Sequence, residues 1–548
     1  MKKILLCTLN STYQHTSFGL RYIHANMEEL ANQTEICEWT IQASSRDIVE
    51  KILSKNPSIV GFGVYIWNTK QLLDVVSILK KVAPSIPIIL GGPEVSYESE
   101  SQEICRLADY VLQGEADFSF RDLCRHLLSA NPEQTAIEPT AKAVADSKNP
   151  SSCGFPKFYR APLPDIQTLK LPYHLYDEND LKFRHIYVEA SRGCPYKCEY
   201  CLSSLDKNVR NFPVDQFLQQ MESLIQRGAR NFKFIDRTFN LSVTISTQIL
   251  SFFHRYADLG LFLHFEMVPD RLPQELREWI VRFPAGSLQF EVGIQTLNPK
   301  VAANVSRRND LQKVQENFQF LAEHTHVHSH ADLIVGLPGE NLESFAKGFD
   351  QLWAWKPDEV QVGILKRLKG TPIARHDREF QMIYSDQAPF QILQNKDVSF
   401  QEMQIMSRFA KYWDLIANSG NFTETTKLLY QLSTQAPGKS FFWYFYELSL
   451  FLSARHGEGH SIALQNLVES LWTYFQSEQL HLPAETLATA KECLIQDYSI
   501  RGKRDIPRFL RDKDHLSSSH LHKENKNQTS PSATASSSLR QRQTKHLL

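Results

Sequence analysis

Three cysteines crowd into eight positions of a chain that otherwise spreads them thinly: Cys194, Cys198 and Cys201, in the run SRGCPYKCEYCLSS over 191–204. A loop with this x3, x2 spacing can wrap three thiolates around one face of a cubane iron–sulfur cluster and leave one iron without a protein ligand. Structural zinc closes its tetrahedron with four nitrogen or sulfur ligands, and no fourth Cys or His falls in the local spacing. His185 precedes the adjacent strand and should lie at its other end. Two blander readings are three ordinary cysteines in a turn, or zinc completed by a distant His. The chain has nine cysteines, an odd number, scattered apart from these three. That argues against a disulfide framework and suits a reducing compartment.

A loop holds such a geometry only if rigid elements flank it. The strand HIYVEA (185–190) ends just before the first cysteine, and five more apolar runs follow: NFKFID (231–236), LFLHFEMV (261–268), SLQFEVGIQ (287–295), HADLIVGLPG (330–339) and EVQVGIL (359–365). Helical stretches lie between them. Six strand–helix units predict a partial or full (β/α) barrel over 181–375, with function at the strand C-termini. Those ends carry Asp236, Arg237, Thr238 and Asn240, then Glu266, then Gly293 and Gln295, then Asp332, Gly336, Pro338, Gly339 and Glu340. Gly336 and Gly339 would permit a close backbone approach rather than contact a ligand by side chain.

Ahead of the barrel, residues 1–127 alternate apolar runs (ILLCTL, SIVGFGVYI, IPIILGG, YVLQGE) with amphipathic stretches. This predicts parallel βαβ units and a doubly wound, Rossmann-like α/β domain, with ligands outside the strand carboxyl ends. Tyr13 and His15, Tyr65 and Trp67, Gly91, Gly92, Pro93 and Glu94, and Gly114 and Glu115 occupy those ends. Residues 128–180 are rich in Pro, Ser, Ala and Thr and read as a linker that wraps over a neighbour. Residues 380–512 read as an all-α domain, its aromatic run FFWYFYELSLF as core. Residues 513–548 read as a disordered tail.

Lys+Arg 60 against Asp+Glu 61 leaves a net charge of -1 over 548 residues, so no whole-chain footprint points to nucleic acid. No run approaches the ~18 apolar residues of a membrane span. The six-residue apolar run after Met1 is too short for a signal peptide. A cytoplasmic protein is the expectation.

The cysteine spacing, with Tyr200 before the last Cys and the whole motif after the first strand of six, resembles the radical S-adenosylmethionine superfamily. The resemblance implies a [4Fe–4S] cluster on Cys194, Cys198 and Cys201, whose open iron chelates the methionyl amino and carboxylate groups. It also implies contacts to S-adenosylmethionine from Asp236, Arg237 and Thr238, which stand where the superfamily commonly has a Gly-Gly-Glu-like segment, and from Glu266, Gln295 and Gly336. The N-terminal glycines resemble the cobalamin-binding domain of cobalamin-dependent members, with Gly91, Gly92, Pro93, Glu94, Gly114 and Glu115 bordering the crevice for the nucleotide tail. The usual Asp-x-His-x-x-Gly is absent. Tyr13, His15, Tyr65 and Trp67 would then line the lower corrin face and leave cobalt without a protein ligand.

ILKRLKGTPI (364–373), the helical region and DYSIRGKRDIPRFL resemble a subgroup whose last domain has no assigned function. The implied activity is reductive cleavage of S-adenosylmethionine to a 5′-deoxyadenosyl radical, fed by an external one-electron donor such as flavodoxin or ferredoxin, and methyl transfer to an unactivated substrate atom. Oxidation, cyclisation or rearrangement without methylation is an alternative, as is a non-catalytic cobalamin sensor. An RNA methylthiotransferase would carry a second cysteine trio, whereas Cys7, Cys37, Cys105 and Cys124 are dispersed. The substrate is not legible.

Overall fold

A computed structural model describes residues 3–129 and 155–499, apart from 436, 437, 439, 458–461 and 479, together with 507 and 509. Two six-stranded parallel sheets organise it. The first comprises β1 (Lys3–Asn10), β2 (Thr34–Thr40), β3 (Pro57–Gly63), β4 (Ile88–Gly91), β5 (Tyr110–Gln113) and β6 (Phe158–Arg160), in the spatial order β2-β1-β3-β4-β5-β6. Its central strands are apolar on both faces, as a sheet covered on both sides requires. Leu5, Cys7, Val60, Phe62 and Leu90 pack under the helices Ser45–Ser54 and Thr69–Val82. Ile4, Leu6, Ile59, Ile89 and Leu112 pack under Phe18–Ala25 and Ser119–Leu128.

Two strands here differ from expectation. β2 (TEICEWT) is an edge strand that buries only Thr34 and Cys37, so it carries little apolar pattern. β6 lies in the stretch read as linker and pairs with β5 through Val111↔Phe158 and Leu112↔Tyr159. Three residues hold too little periodicity to be recognised. Residues 130–154 of that stretch, and the tail 513–548, lie outside the described residues.

The second sheet is built from β7 (Ile186–Val188), β10 (Asn231–Phe234), β11 (Phe262–Met267), β12 (Leu288–Gln295), β13 (His328–Val335) and β14 (Glu359–Ile364), with the hairpin β8 (Ser191–Arg192) and β9 (Arg210–Asn211) set beside it. Its order is β14-β13-β12-β11-β10-β7, so β7 and β14 are open edges and the barrel is partial. The expected fold class is the one observed: a doubly wound N-terminal α/β unit, a partial (β/α)6 barrel and a helical C-terminal region. Alternation sends Phe232, Phe234, Leu263, Phe265, Phe290 and Val292 into the core under the helices. Lys233, His264, Glu266, Glu291, His330 and Asp332 take the other face.

Among the described residues five helices follow: Phe400–Trp413, Thr423–Gln435, Phe441–His456, Leu464–Phe475 and Ala484–Ser499. Trp413 stands edge-on to Phe349 of a barrel helix at 4.7 Å and to Phe445 at 4.9 Å. The aromatic run is therefore core, continuous with that of the barrel. Among the described residues no helix is long and apolar enough to cross a membrane.

Candidate functional site

The loop 193–209 carries all three cysteines, and the β8–β9 hairpin pins its two ends. Gly193 opens it at φ +94, where a Cβ would stand 2.2 Å from the Asn208 carbonyl oxygen, so only glycine fits. The Cys194 N–H donates to the Asp206 carbonyl (2.9 Å) and the Cys201 N–H to that of Cys198 (3.1 Å). Glu199, 3% exposed, anchors the middle: its carboxylate takes hydrogen bonds from Ser306 and from His376 Nε2 (2.9 Å) and pairs with Arg375. Its own N–H reaches the Val305 carbonyl.

Asp236, expected as a cofactor contact, sits instead behind the loop. It is 3% exposed and accepts from the Ala190 N–H and the Ser191 hydroxyl, which fixes the strand end ahead of Gly193. Burial pushes its carboxyl up to about 7.

Cys194, Cys198 and Cys201 line one wall of a cavity of about 830 Å³. Facing them are Arg237, Thr238, Glu266, Glu291, Gly293, Gln295, Arg307 and Asp332. Arg237 Nη1 lies 2.9 Å from Glu266. Gln295 ends β12 at φ +71, so its side chain folds back over Gly293. Arg307, which the strand-end reasoning passed over because it follows a helix (Pro299–Asn304), reaches across the cavity. Its guanidinium is 3.4 Å from Cys198 Sγ and 3.2 Å from the Tyr200 hydroxyl, and it donates to the Gly293 carbonyl.

Two carboxyl groups on this wall are held in opposite states. Burial opposes ionisation of Glu291, but the His264 imidazole at 3.0 Å prevails and holds it down to about 2. Asp332 is pushed well above the usual carboxylate range, by burial first and then by the charges of Glu291 and Glu266. The surroundings thus favour the ionised form of Glu291 and disfavour that of Asp332. Gly336 does not line it. At φ +92 it packs against the C-terminal segment, where a Cβ would meet Ile392 at 2.8 Å.

A second cavity, of about 770 Å³, opens at the carboxyl ends of β1, β3, β4 and β5. Gly61, Gly63, Gly91, Gly92 and Gly114 line it, with Tyr65, Leu112, Glu115 and Arg192. Gly61 and Gly63 were not singled out from sequence; the alternation in GFG puts both on one face, which was the available signal. A Cβ on Gly61 would come 2.6 Å from the Phe120 ring, and one on Gly92 (φ +108) 2.5 Å from the Val64 carbonyl oxygen. Tyr65 stacks on Trp67 at 4.6 Å, and the Trp67 indole N–H donates to the Leu9 carbonyl.

The remaining expected residues lie off this lining. Pro93 begins a short turn, and Glu94 is buried and paired with Lys369. Tyr13 is 54% exposed beneath the Arg184 guanidinium. His15 bonds Tyr187 of β7 at 2.5 Å, so it faces the barrel rather than the slot.

Arg192 borders the slot close in sequence to the cysteine loop. It lines the slot, stands two residues before Cys194, and holds Glu115 at 2.7 Å, Asp117 at 3.1 Å and Glu189 at 2.9 Å while covering the Tyr22 ring. Glu115, expected as a direct contact, is thereby engaged by Arg192 and Arg210, whose cations outweigh burial and lower its carboxyl.

Among the described residues no three His, Cys, Asp or Glu side chains converge on a single ion. Mononuclear zinc needs that convergence, whereas a cubane takes one thiolate per iron and needs them spread over a wall. The three cysteines therefore fit a cluster. The glycine-lined slot fits a flat, bulky group pressed against backbone.

Family models match consecutive parts of the chain: "B12 binding domain" over residues 4–123 and "Radical SAM superfamily" over 188–352. The chain thus carries a radical S-adenosylmethionine domain with a B12 binding domain ahead of it. Residues 378–547 match "Protein of unknown function (DUF4080)", which sets the subgroup.

Over 344 residues (58% of this chain, 48% of the relative) it is 25% identical to the cobalamin-dependent radical SAM methyltransferase TokK of Streptomyces tokunonensis. Over 347 residues (58% and 48%) it is 21% identical to 2-(S-pantetheinyl)-carbapenam-3-carboxylate methyltransferase of Streptantibioticus cattleyicolor. The matches thus span about half the length of these relatives. The fold resembles that of the cobalamin-dependent S-adenosylmethionine radical enzyme OxsB with aqua-cobalamin and S-adenosylmethionine bound, at TM-score 0.57 and 13% identity, over 91% of this chain and 78% of that one.

Proposed function

We propose that the protein is a cobalamin-dependent radical S-adenosylmethionine methyltransferase. The observation that carries this reading is the pair of cavities, one walled by three thiols and the other by glycines, each outside the carboxyl ends of a parallel sheet. Cys194, Cys198 and Cys201 would hold a [4Fe–4S] cluster, which would supply the electron for cleaving S-adenosylmethionine to methionine and a 5′-deoxyadenosyl radical, and the slot would hold cobalamin as the methyl carrier.

The chain's own residues bind and orient. Arg307 and Arg237 present cations to the methionyl carboxylate, and Glu266 and Asp332 present an acceptor and a donor to the ribose hydroxyls. Gln295 and the backbone around Gly293 flank the adenine. Thr238 closes the wall beside Arg237, while Asp236 and Glu199 hold the cysteine loop in shape. Tyr65 and the glycines flank the nucleotide tail. The electron comes from a small external carrier such as a flavodoxin or ferredoxin.

Cys7, Cys37 and Cys105 are buried in one face of the first sheet and Cys124 in the other, which speaks against the second cysteine trio of a methylthiotransferase. Anaerobic purification followed by cluster and corrinoid spectra, then incubation with S-adenosylmethionine and dithionite, tests the reading. Cluster and corrinoid bands with release of 5′-deoxyadenosine are expected. A radical oxidase or cyclase would release 5′-deoxyadenosine without S-adenosylhomocysteine. A sensor would release neither.

A further inference from the structure

A third cavity, of about 1240 Å³, adjoins the cysteine-walled one and shares Tyr200, Cys201, Ser203 and Arg237 with it. Its outer wall is the open edge of the barrel, with Val362, Gly363, Ile364 and Leu365 at the end of β14. The helix Phe400–Trp413 closes it from the other side. That helix buries Met403, Met406 and Phe409 in the core, yet turns the small residues Ser407 and Ala410, one helical turn apart, to the cavity. Gly363 leaves room in the same way: a Cβ there would meet its nearest neighbour at 3.4 Å, an ordinary contact, so packing does not demand a glycine.

No carboxylate lines this space among the described residues. Its cations are Arg237, already paired with Glu266, and Lys366, which is exposed. Apolar walls with one uncompensated cation select a ligand by burial of its body and by the sign of its charge.

We infer that the C-terminal domain, to which no role is attached, forms one wall of the acceptor-substrate site, and that the substrate is a small molecule with an apolar body and one anionic group set against Lys366. This rests on the reading above for the word acceptor, though the ligand chemistry stands on the cavity alone. The cavity shares Cys201 with the first one, so a molecule held there lies beside the radical source. The edge of the sixth strand is met by the C-terminal region: the Asn418 side chain bonds both the N–H and the carbonyl of Val360, and the Ile392 N–H donates to the Leu365 carbonyl.

The test compares three probes of one shape, 4-phenylbutyrate, 4-phenylbutanamide and 4-phenylbutylamine, by calorimetry on the full-length reconstituted protein. The anion is expected to bind at least tenfold more tightly than the amide, and the amine not at all. Lys366→Gln should abolish the advantage of the anion while leaving amide affinity in place. Ala410→Trp should weaken anion and amide together by tenfold or more, and Ser407→Leu on the same helix face provides a second, milder filling of the space, each variant checked by thermal melt. Equal binding of the three probes, or unchanged affinity in both filled variants, would overturn the proposal. 5′-Deoxyadenosine release by the unaltered protein, measured without probe, separates the two claims: its absence with the binding pattern intact defeats the radical reading and spares the site.

Discussion

The slot in the first sheet and the cavity in the barrel sit at the same place in their folds, outside the carboxyl ends of parallel strands, and are built by opposite means. The slot is made by subtraction, with six glycines and apolar neighbours leaving space and its charges (Glu115, Asp117, Arg192) tied off at the rim. The barrel cavity is made by addition: cysteine, arginine and carboxyl side chains crowd inward from β11, β12 and β13 and from the loops. A group held chiefly by shape needs the first kind of site. A charged ligand and a metal cluster need the second. The slot is therefore sensitive to added volume, and the cavity to lost functional groups.

The largest expected effect breaks the barrel side alone. Cys198→Ala, reconstituted anaerobically, should lose cluster absorbance and at least 1000-fold (roughly 4 kcal/mol) of 5′-deoxyadenosine formation, yet still take up corrinoid. Loss of both would mean that the two cavities are one cooperative site. Gly91→Leu attacks the other side. A Cβ at Gly91 meets nothing closer than 3.8 Å, so the fold should accept leucine while the slot is filled. Corrinoid affinity should drop about 100-fold (roughly 2.7 kcal/mol) in equilibrium dialysis, with cluster spectra intact.

The rim of the slot is addressed by Arg192→Met, which takes this cation from Asp117 and Glu189 and leaves Glu115 with Arg210 alone. Breaking such pairs costs about 3–5 kcal/mol. The melt should shift down in the apo protein, and restoration of wild-type stability at low pH, where the carboxyls are neutral, would identify charge as the cause.

The smallest effect is a pH slope. Burial raises the Glu340 carboxyl to about 7, despite hydrogen bonds from Thr296 and Ser344. A raised carboxyl favours the fold fully below its unfolded value near 4.5, and that contribution fades as pH climbs through about 7. Glu340→Gln should therefore flatten the fall of melting temperature between pH 5 and 8, by on the order of 2 kcal/mol. An unchanged slope would remove Glu340 as its source.

The strands were legible in proportion to their burial. β1, β3, β12 and β13 are long or continuously apolar, and each stands where its run predicts. β2 and β6 escaped because an exposed edge and a three-residue strand leave no periodic trace. The cysteines were legible because their spacing is local. Glu266, Gln295, Arg237 and Thr238 face the cavity as strand-end logic places them, while Asp236 and Gly336, next to the same ends, turn away into protein contacts. One residue of register decides between the two, and composition does not record it. Arg307 and Glu199 act through partners more than 100 positions away, which no local pattern encodes.

The contact between Glu199 and His376 spans 177 residues. A chain emerging from the ribosome carries its three thiols for that whole stretch before their loop acquires its most distant anchor, and closing a contact of such separation costs more loop entropy than closing a local one. A truncated or stalled chain presents three loose cysteines, and only the completed one presents a socket.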